Sequence, residues 1–415
     1  MILKETIKKT VVKQKEELKQ LETGIKRDLN QKIDFDIKHA NIITGIRRCG
    51  KSTVLRQLMK TVKNKAYFNF EDPRIFKFEL TDFEKLDEVL NELNKDLEFY
   101  FFDEIQNVEG WERFVRQKLD QGGKIFLTGS NASLLSRELG TKLTGRQISH
   151  ELFPFSYKEM LQFLKLKPSL KTFEKYFELG GFPEFLEKPK TELLQELFKD
   201  VLTRDIIVRH KIKDTKKLKE LATYLITNIG KEYSYNNLAK ILNLGSTNTV
   251  SSYISFFEDS YLFFTIPRFD YSLKKQMINP KKIFCIDLGF ARANTASFSS
   301  DKGRLLENLI FIELRRKYKE IFYYRNRHEC DFIIKENGKL IQAIQVCYEL
   351  TEENKERELN GLYETMRKFK IENGLIITFA QEDKLNDINV IPAWKWMSKN
   401  LADKVIGENK QEYDL

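Results

Sequence analysis

At 415 residues the chain exceeds one ordinary hydrophobic core, so two or three domains are expected. Hydrophobic residues make up 41% and charged residues 32%, which excludes a disordered polymer, and no run of 18 apolar residues offers a membrane span. Lysine and arginine number 71 against 61 aspartates and glutamates, a net charge of +10 that favours an anionic partner such as nucleic acid, although a solvated basic surface carries the same excess.

Residues 2–30 read as an exposed, charged helix with a narrow apolar stripe of Ile7, Val11, Leu18 and Leu21, packed on the outside of the domain that comes next in the chain. Its start has no apolar h-region, so no secretory signal is read. The cysteines Cys49, Cys285, Cys330 and Cys347 are scattered without a CxxC pair, which points to a reducing cytoplasm rather than a zinc site or disulfide framework. From about residue 38, short apolar runs alternate with helical segments. NIITGI (41–46), KAYFNF (65–70), LEFYFFDEI (97–105), GKIFLTG (123–129) and RQISHELF (146–153) read as strands. Nearly continuous apolar strands between helices predict a parallel, helix-covered sheet. Residues 155–225 read as mainly helical, with a turn at LGGFPEF (179–185).

The stretch TGIRRCGKST (44–53) comes after an apolar strand and opens an amphipathic helix, the context that a phosphate loop requires. Backbone N–H groups of Gly45, Ile46, Arg47, Arg48, Cys49, Gly50, Lys51, Ser52 and Thr53, with the helix dipole, are expected to cradle the phosphates of ATP. Lys51 would reach the β- and γ-phosphates, and Ser52 would hold Mg²⁺. The competing reading is a chance glycine-rich turn. FYFFDEIQ ends a strand in Asp103, expected on Mg²⁺, and Glu104, expected to polarise the attacking water. IFLTGSNASLL ends a strand in Ser130 and Asn131; Asn131 is read as orienting the water or sensing the γ-phosphate, with a helix N-cap as the alternative. In LTGRQISHELFPFS, Arg146 is read as a finger on the γ-phosphate, in cis or from a neighbouring subunit, with a surface salt bridge as the alternative.

GIRRCGKST, FNFEDPR, FFDEIQ, LTGSNASLL and LTGRQISHELFPFSYKEM, in this order, resemble a large group of bacterial and archaeal AAA+-type ATPases. In that group a core ATPase is joined to a C-terminal domain of unknown function. YFELGGFPEFL, DLGFARA, GRLLENLIFIELRR and CDFII…IQVCYEL extend the resemblance over nearly the whole chain after residue 35. The resemblance implies that Arg47 and Arg48 are usual in this loop.

Residues 231–269 read as helix, turn, helix and strands, similar to a winged helix-turn-helix. Ser246, Thr247, Asn248 and Thr249 would start the second helix, and the cations of RHKIKDTKKLKEL (209–221) would meet phosphates. The module could equally serve protein contacts only. Further on, Glu307 on a helix and Asp331 on a strand match part of the metal pattern of restriction-endonuclease-like folds, but the third motif reads Gln345-Val346-Cys347. Without its acid and lysine, nuclease activity is expected to be lost, unless a migrated lysine such as Lys339 replaces it.

The expected fold is α/β, a P-loop parallel sheet with a helical lid, followed by a winged-helix region and a nuclease-like α/β domain. The expected boundaries are a charged helix (1–35), the AAA+-like core (36–155), the lid (156–200), the winged-helix region (201–270), an inactive restriction-endonuclease-like domain (271–385) and a tail (386–415). The expected function is a cytoplasmic, Mg²⁺-dependent ATP switch acting on double-stranded DNA, with homo-oligomers or a protein partner possible and no membrane. The alternative is an ATP-gated protein-interaction switch without DNA.

Overall fold

The computed structural model describes residues 1–130, 145–295 and 301–399. Two compact units emerge, Met1–Phe153 with Asp259–Tyr261, and Pro154–Glu258 with Leu262 onward. Among the described residues, no helix is long and apolar enough to cross a membrane.

The first unit is a five-stranded parallel sheet. Its strands are β1 (Ala40–Thr44), β2 (Lys65–Asn69), β3 (Phe99–Asp103), β4 (Lys124–Gly129) and β5 (Gln147–Glu151), in the spatial order β2-β3-β4-β1-β5. Every residue of β1 and β3 is buried, as their unbroken apolar runs require when helices cover both faces. The crossovers carry α2 (Lys51–Met59), α3 (Asp82–Leu93) and α4 (Trp111–Asp120). Phe68, Phe70, Phe78, Phe83, Phe102 and Phe114 build an aromatic core against α3 and α4.

The N-terminal helix α1 (Lys4–Gln20) is shorter than the 2–30 stretch expected of it, and it is part of this core. Its buried face is Ile7, Thr10, Val11 and Gln14, whereas Leu21 is half exposed. Gln14 donates to Asn69 O and accepts from Asn69 N–H at 2.9 Å, so a side chain satisfies the end of the edge strand β2.

The second unit opens with helices α5 (Tyr157–Leu164), α6 (Leu170–Leu179), α7 (Pro183–Glu187) and α8 (Thr191–Asp200), which runs on as a π-helical segment, Val201–Val208. Ser156 and Glu159 form a reciprocal cap at the start of α5. Then come α9 (Thr215–Thr227), β6 (Glu232–Tyr233), α10 (Tyr235–Ile241), α11 (Thr247–Asp259), β7 (Phe263–Pro267), α12 (Leu273–Ile278) and β8 (Lys281–Cys285). The strands form an antiparallel sheet in the order β6-β8-β7. Here the chain departs from expectation: β8, read from sequence as the start of the next domain, is the central strand of this sheet. The intervening helix α12 hides the β7–β8 hairpin from a local reading.

After α13 (Leu288–Asn294), the helix α14 (Lys302–Arg315) leads into a six-stranded mixed sheet of β9 (Glu320–Arg325), β10 (Glu329–Glu336), β11 (Lys339–Cys347), β12 (Gly374–Thr378), β13 (Asp383–Leu385) and β14 (Ile388–Pro392). Helix α15 (Glu352–Phe369) crosses between β11 and β12, and α16 (Ala393–Lys399) comes after β14. The β10–β11 turn holds Asn337 and Gly338 at φ 49° and 79°, the left-handed pair that its Asn-Gly sequence favours. Residues 388–392, assigned to a tail from sequence, pair in parallel with β12 and belong to the sheet.

The GG and DLG stretches lock together in this unit. Asp287 accepts from Gly181 N–H at 2.6 Å and caps α13 through Phe290 N–H at 2.9 Å. A Cβ at Gly180, whose φ is +72°, would stand 2.2 Å from the Asp287 carboxylate, and one at Gly181 2.1 Å from Phe155 O.

Candidate functional site

The loop after β1 turns tightly because its glycines permit it. Gly45 packs so closely that a Cβ would lie 2.1 Å from Leu152 O, and Gly50 has φ +102° at the head of α2. Arg48 is also left-handed, with φ 61°. A buried arginine outside the motif clamps this loop: Arg27, 3% exposed, donates to Cys49 O at 2.8 Å and to Phe153 O at 2.7 Å. Sequence reasoning placed Arg27 on an exposed helix and missed it. Cys49 is fully buried, and burial pushes its thiol pKa up.

Lys51, the first residue of α2, directs Nζ back under the loop, donating to Gly45 O at 3.1 Å and Ile46 O at 3.2 Å. The same ammonium lies 3.8 Å from Glu104 Oε1. The Ser52 hydroxyl lies close enough to Asp103, which is 2% exposed at the end of β3, to favour its charged form. Burial pushes the Asp103 carboxyl above its ordinary range, as does neighbouring Glu104, while bonds from Thr128, Ser52 and Tyr67 work in the other direction. Glu104 is left-handed, with φ 53°, and its N–H donates to Thr128 Oγ1 at 3.0 Å. Thr128 in turn donates to Asp103 Oδ1. Strand β4 lies between β1 and β3, and Thr128 near its end is hydrogen-bonded to the two acids at the end of β3. Thr44, the last residue of β1, hydrogen-bonds the Tyr261 hydroxyl at 2.7 Å.

Lys51, Ser52, Asp103 and Glu104 are thus brought together. Thr53 turns aside, its hydroxyl accepting from Arg56 at 3.0 Å, and Arg47 pairs with Glu71 at 3.4 Å. Asn131 lies outside the described residues, and Ser130 is buried at the end of β4. Arg146 is not brought to the loop within the chain. Its carbonyl accepts from Ala40 N–H, at the start of β1, and its guanidinium pairs with Asp120 on the surface. In a parallel sheet this is the end opposite the loop, about 13 Å away along β1.

In the second unit Glu307 on α14 and Asp331 on β10 do converge, as their motif suggested. Lys339 does not join them; it is exposed in the β10–β11 hairpin. Gln345 supplies no charge, and its side chain bridges Asp331 N–H at 3.3 Å and Glu358 at 2.6 Å.

A family model described as "AAA domain" matches residues 38–161, and two domains of unknown function, DUF8612 and DUF4143, match residues 170–301 and 302–396. The AAA match supports a nucleotide-binding, ATPase-type domain around the phosphate loop. Among solved structures, the Walker-type ATPase PABY2304 of Pyrococcus abyssi aligns over 66% of this chain and 99% of its own, at 16% identity and a TM-score of 0.45. AMPPCP-bound DnaA from Aquifex aeolicus aligns over 59% and 85%, at 16% identity and a TM-score of 0.27. An uncharacterized protein of Haemophilus influenzae is 29% identical, covering 89% of this chain and 97% of its own. The uncharacterized protein MJ1544 of Methanocaldococcus jannaschii is 36% identical over 88% of this chain and 90% of its own. At that identity over nearly the full length of both, the chain belongs to the same family as MJ1544.

Proposed function

We propose that the first unit binds ATP with Mg²⁺ and hydrolyses it to ADP and phosphate, and that the cycle switches the second unit on DNA. The observation that carries the ATPase reading is the convergence of Lys51, Ser52, Asp103 and Glu104 at the ends of β1 and β3. The Ser52 hydroxyl and the Asp103 carboxylate are the hard oxygen donors that suit Mg²⁺, and the ion, when bound, neutralises charge on the phosphates. Lys51 adds a positive charge at the β- and γ-phosphates. Glu104, held by its N–H to Thr128 and facing Lys51, orients and polarises the attacking water. Lys51→Ala should abolish nucleotide binding. Glu104→Gln should keep ATP and stop turnover; normal turnover in that variant would refute the role.

The DNA reading is supported by the order α9, β6, α10, α11, β7, α12 and β8, in which helices lead into a small antiparallel sheet, as a winged-helix reading requires. Ser246 and Asn248 are exposed at the start of α11, and Lys211, Lys213, Lys216 and Lys219 are exposed upstream. The second reading, a protein-docking switch, is favoured by an apolar surface around α12, where Tyr271, Leu273, Met277 and Ile278 are each at least 70% exposed. The two separate on one measurement. Affinity for duplex DNA that falls steeply with salt and differs between ATP and ADP supports the first. Absent or salt-independent binding supports docking.

A further inference from the structure

The nuclease-type carboxylates of the second unit already hold a cation, and it belongs to the chain. Lys282, 3% exposed on the central strand β8, places its ammonium 2.7 Å from Glu307 Oε1, 2.6 Å from Glu329 Oε1 and 3.2 Å from Asp331 Oδ1. Glu307 and Asp331 accept hydrogen bonds from this ammonium, and Glu329 adds an ion pair. We propose that Lys282 is the resident cation of this pocket, standing where carboxylate nucleases hold a divalent ion, so that the domain keeps the site's architecture without metal and without cleavage.

Three observations support this. First, the ammonium sits among three acidic side chains at 2.6–3.2 Å, so a buried cationic head has its partners within the chain. Second, the neighbouring positions are committed elsewhere. Asp331 Oδ2 accepts from Val346 N–H at 2.9 Å, and Gln345, at the position of the missing acid, is tied to Glu358. Third, the lysine arrives on a strand fixed in place for it. Asn308, beside Glu307 on α14, brackets Cys285 of β8 by accepting from its N–H at 2.7 Å and donating to its carbonyl at 3.0 Å. The ammonium therefore also joins the three-stranded sheet to α14 and β10, a structural duty that a metal would otherwise perform.

The pocket is not sealed. A cleft of about 480 Å³ lined by Arg304, Asn326, Arg327, His328 and Arg357 opens over it, and the Glu329 side chain is 33% exposed. An ion from solvent can reach the carboxylates once the ammonium is removed. This inference does not depend on the ATPase reading, because it concerns only residues of the second unit.

The test is Mn²⁺ titration of the metal-stripped, nucleotide-free full chain, read by calorimetry and thermal unfolding. All variants carry Asp103→Asn so that the first unit contributes no ion. The parent should show no Mn²⁺ stabilisation. Lys282→Ala should unfold at lower temperature and be restored by Mn²⁺, with an affinity about tenfold or more above the parent. Adding Asp331→Asn should remove that gain. Lys282→Met, which keeps the apolar stem, is run beside it. The proposal is overturned if the parent binds Mn²⁺, or cleaves DNA with it, in a manner lost in Asp331→Asn. It is overturned equally if neither Lys282 variant, folded or unfolded at the start, gains stability from Mn²⁺.

Discussion

The Tyr67 hydroxyl donates to Asp103 Oδ2 at 3.1 Å, so the carboxylate that faces Ser52 is held from behind by the edge of the sheet. Thr128 holds its other oxygen and also accepts from Glu104 N–H. The two supports are unequal. Tyr67→Phe removes one hydrogen bond to a charged group and should slow ATP turnover about fivefold to tenfold with nucleotide affinity little changed. Thr128→Val removes the bonds that place both acids and should cost about 100-fold. Single-turnover hydrolysis beside nucleotide titration checks the order. A Tyr67→Phe effect larger than that of Thr128→Val would show that the supports are misassigned.

Arg27 gives a second prediction. Its guanidinium satisfies Cys49 O in the loop and Phe153 O after β5, both away from water. Arg27→Ala leaves those acceptors bare and should cost about 3 kcal/mol of stability in the first unit. Because Cys49 is in the phosphate loop, nucleotide affinity should fall with it. Arg27→Lys should recover only part of either, since a single ammonium lacks the fork that reaches two carbonyls. Urea unfolding and nucleotide titration of both variants decide the matter.

What could be read from the sequence, and what could not, divides along distance in the chain. Strands β1, β3 and β4 were legible because burial on both faces writes itself as a continuous apolar run, and Lys51, Ser52, Asp103 and Glu104 because each motif is local. Arg27 was not, because its partners lie 22 and 126 residues away. Nothing in KKIFC marks Lys282 as bound for carboxylates 25 and 49 residues downstream. The place of β8 was lost for a related reason: α12 interrupts the hairpin that joins it to β7. Arg146 is different, because the parallel sheet already implied its position. A residue just before a parallel strand sits at the end opposite a loop that comes after one.

That placement makes Arg146 a sharp case. It is half exposed, and its salt bridge to Asp120 lies far from the loop. Arg146→Ala should change turnover by no more than about twofold, as removal of an exposed ion pair does. A loss of about 100-fold would mean that Arg146 serves the site of another copy. Mixing with a Glu104→Gln chain would then restore rate, because the inactive partner still supplies its own Arg146.

Asp287 carries the last prediction. It is buried beside Gly180 and Gly289, and burial pushes its carboxyl pKa up to about 6 from the usual 3.8, against the pull of bonds from Phe290 and Gly181. Between those two values the folded chain binds the proton more tightly than the unfolded chain does. Stability from this group is therefore full at low pH and is lost as pH rises through the interval. A shift of roughly two units corresponds to ~3 kcal/mol. Asp287→Asn has no proton to lose, so the stability difference between the wild type and this variant should shrink as pH rises from about 4 and level off above about 6.5. Urea unfolding across that range measures it; a constant difference would show that the carboxyl ionises as freely inside the fold as outside it, and one that grows with pH would show that the fold favours the ionised form.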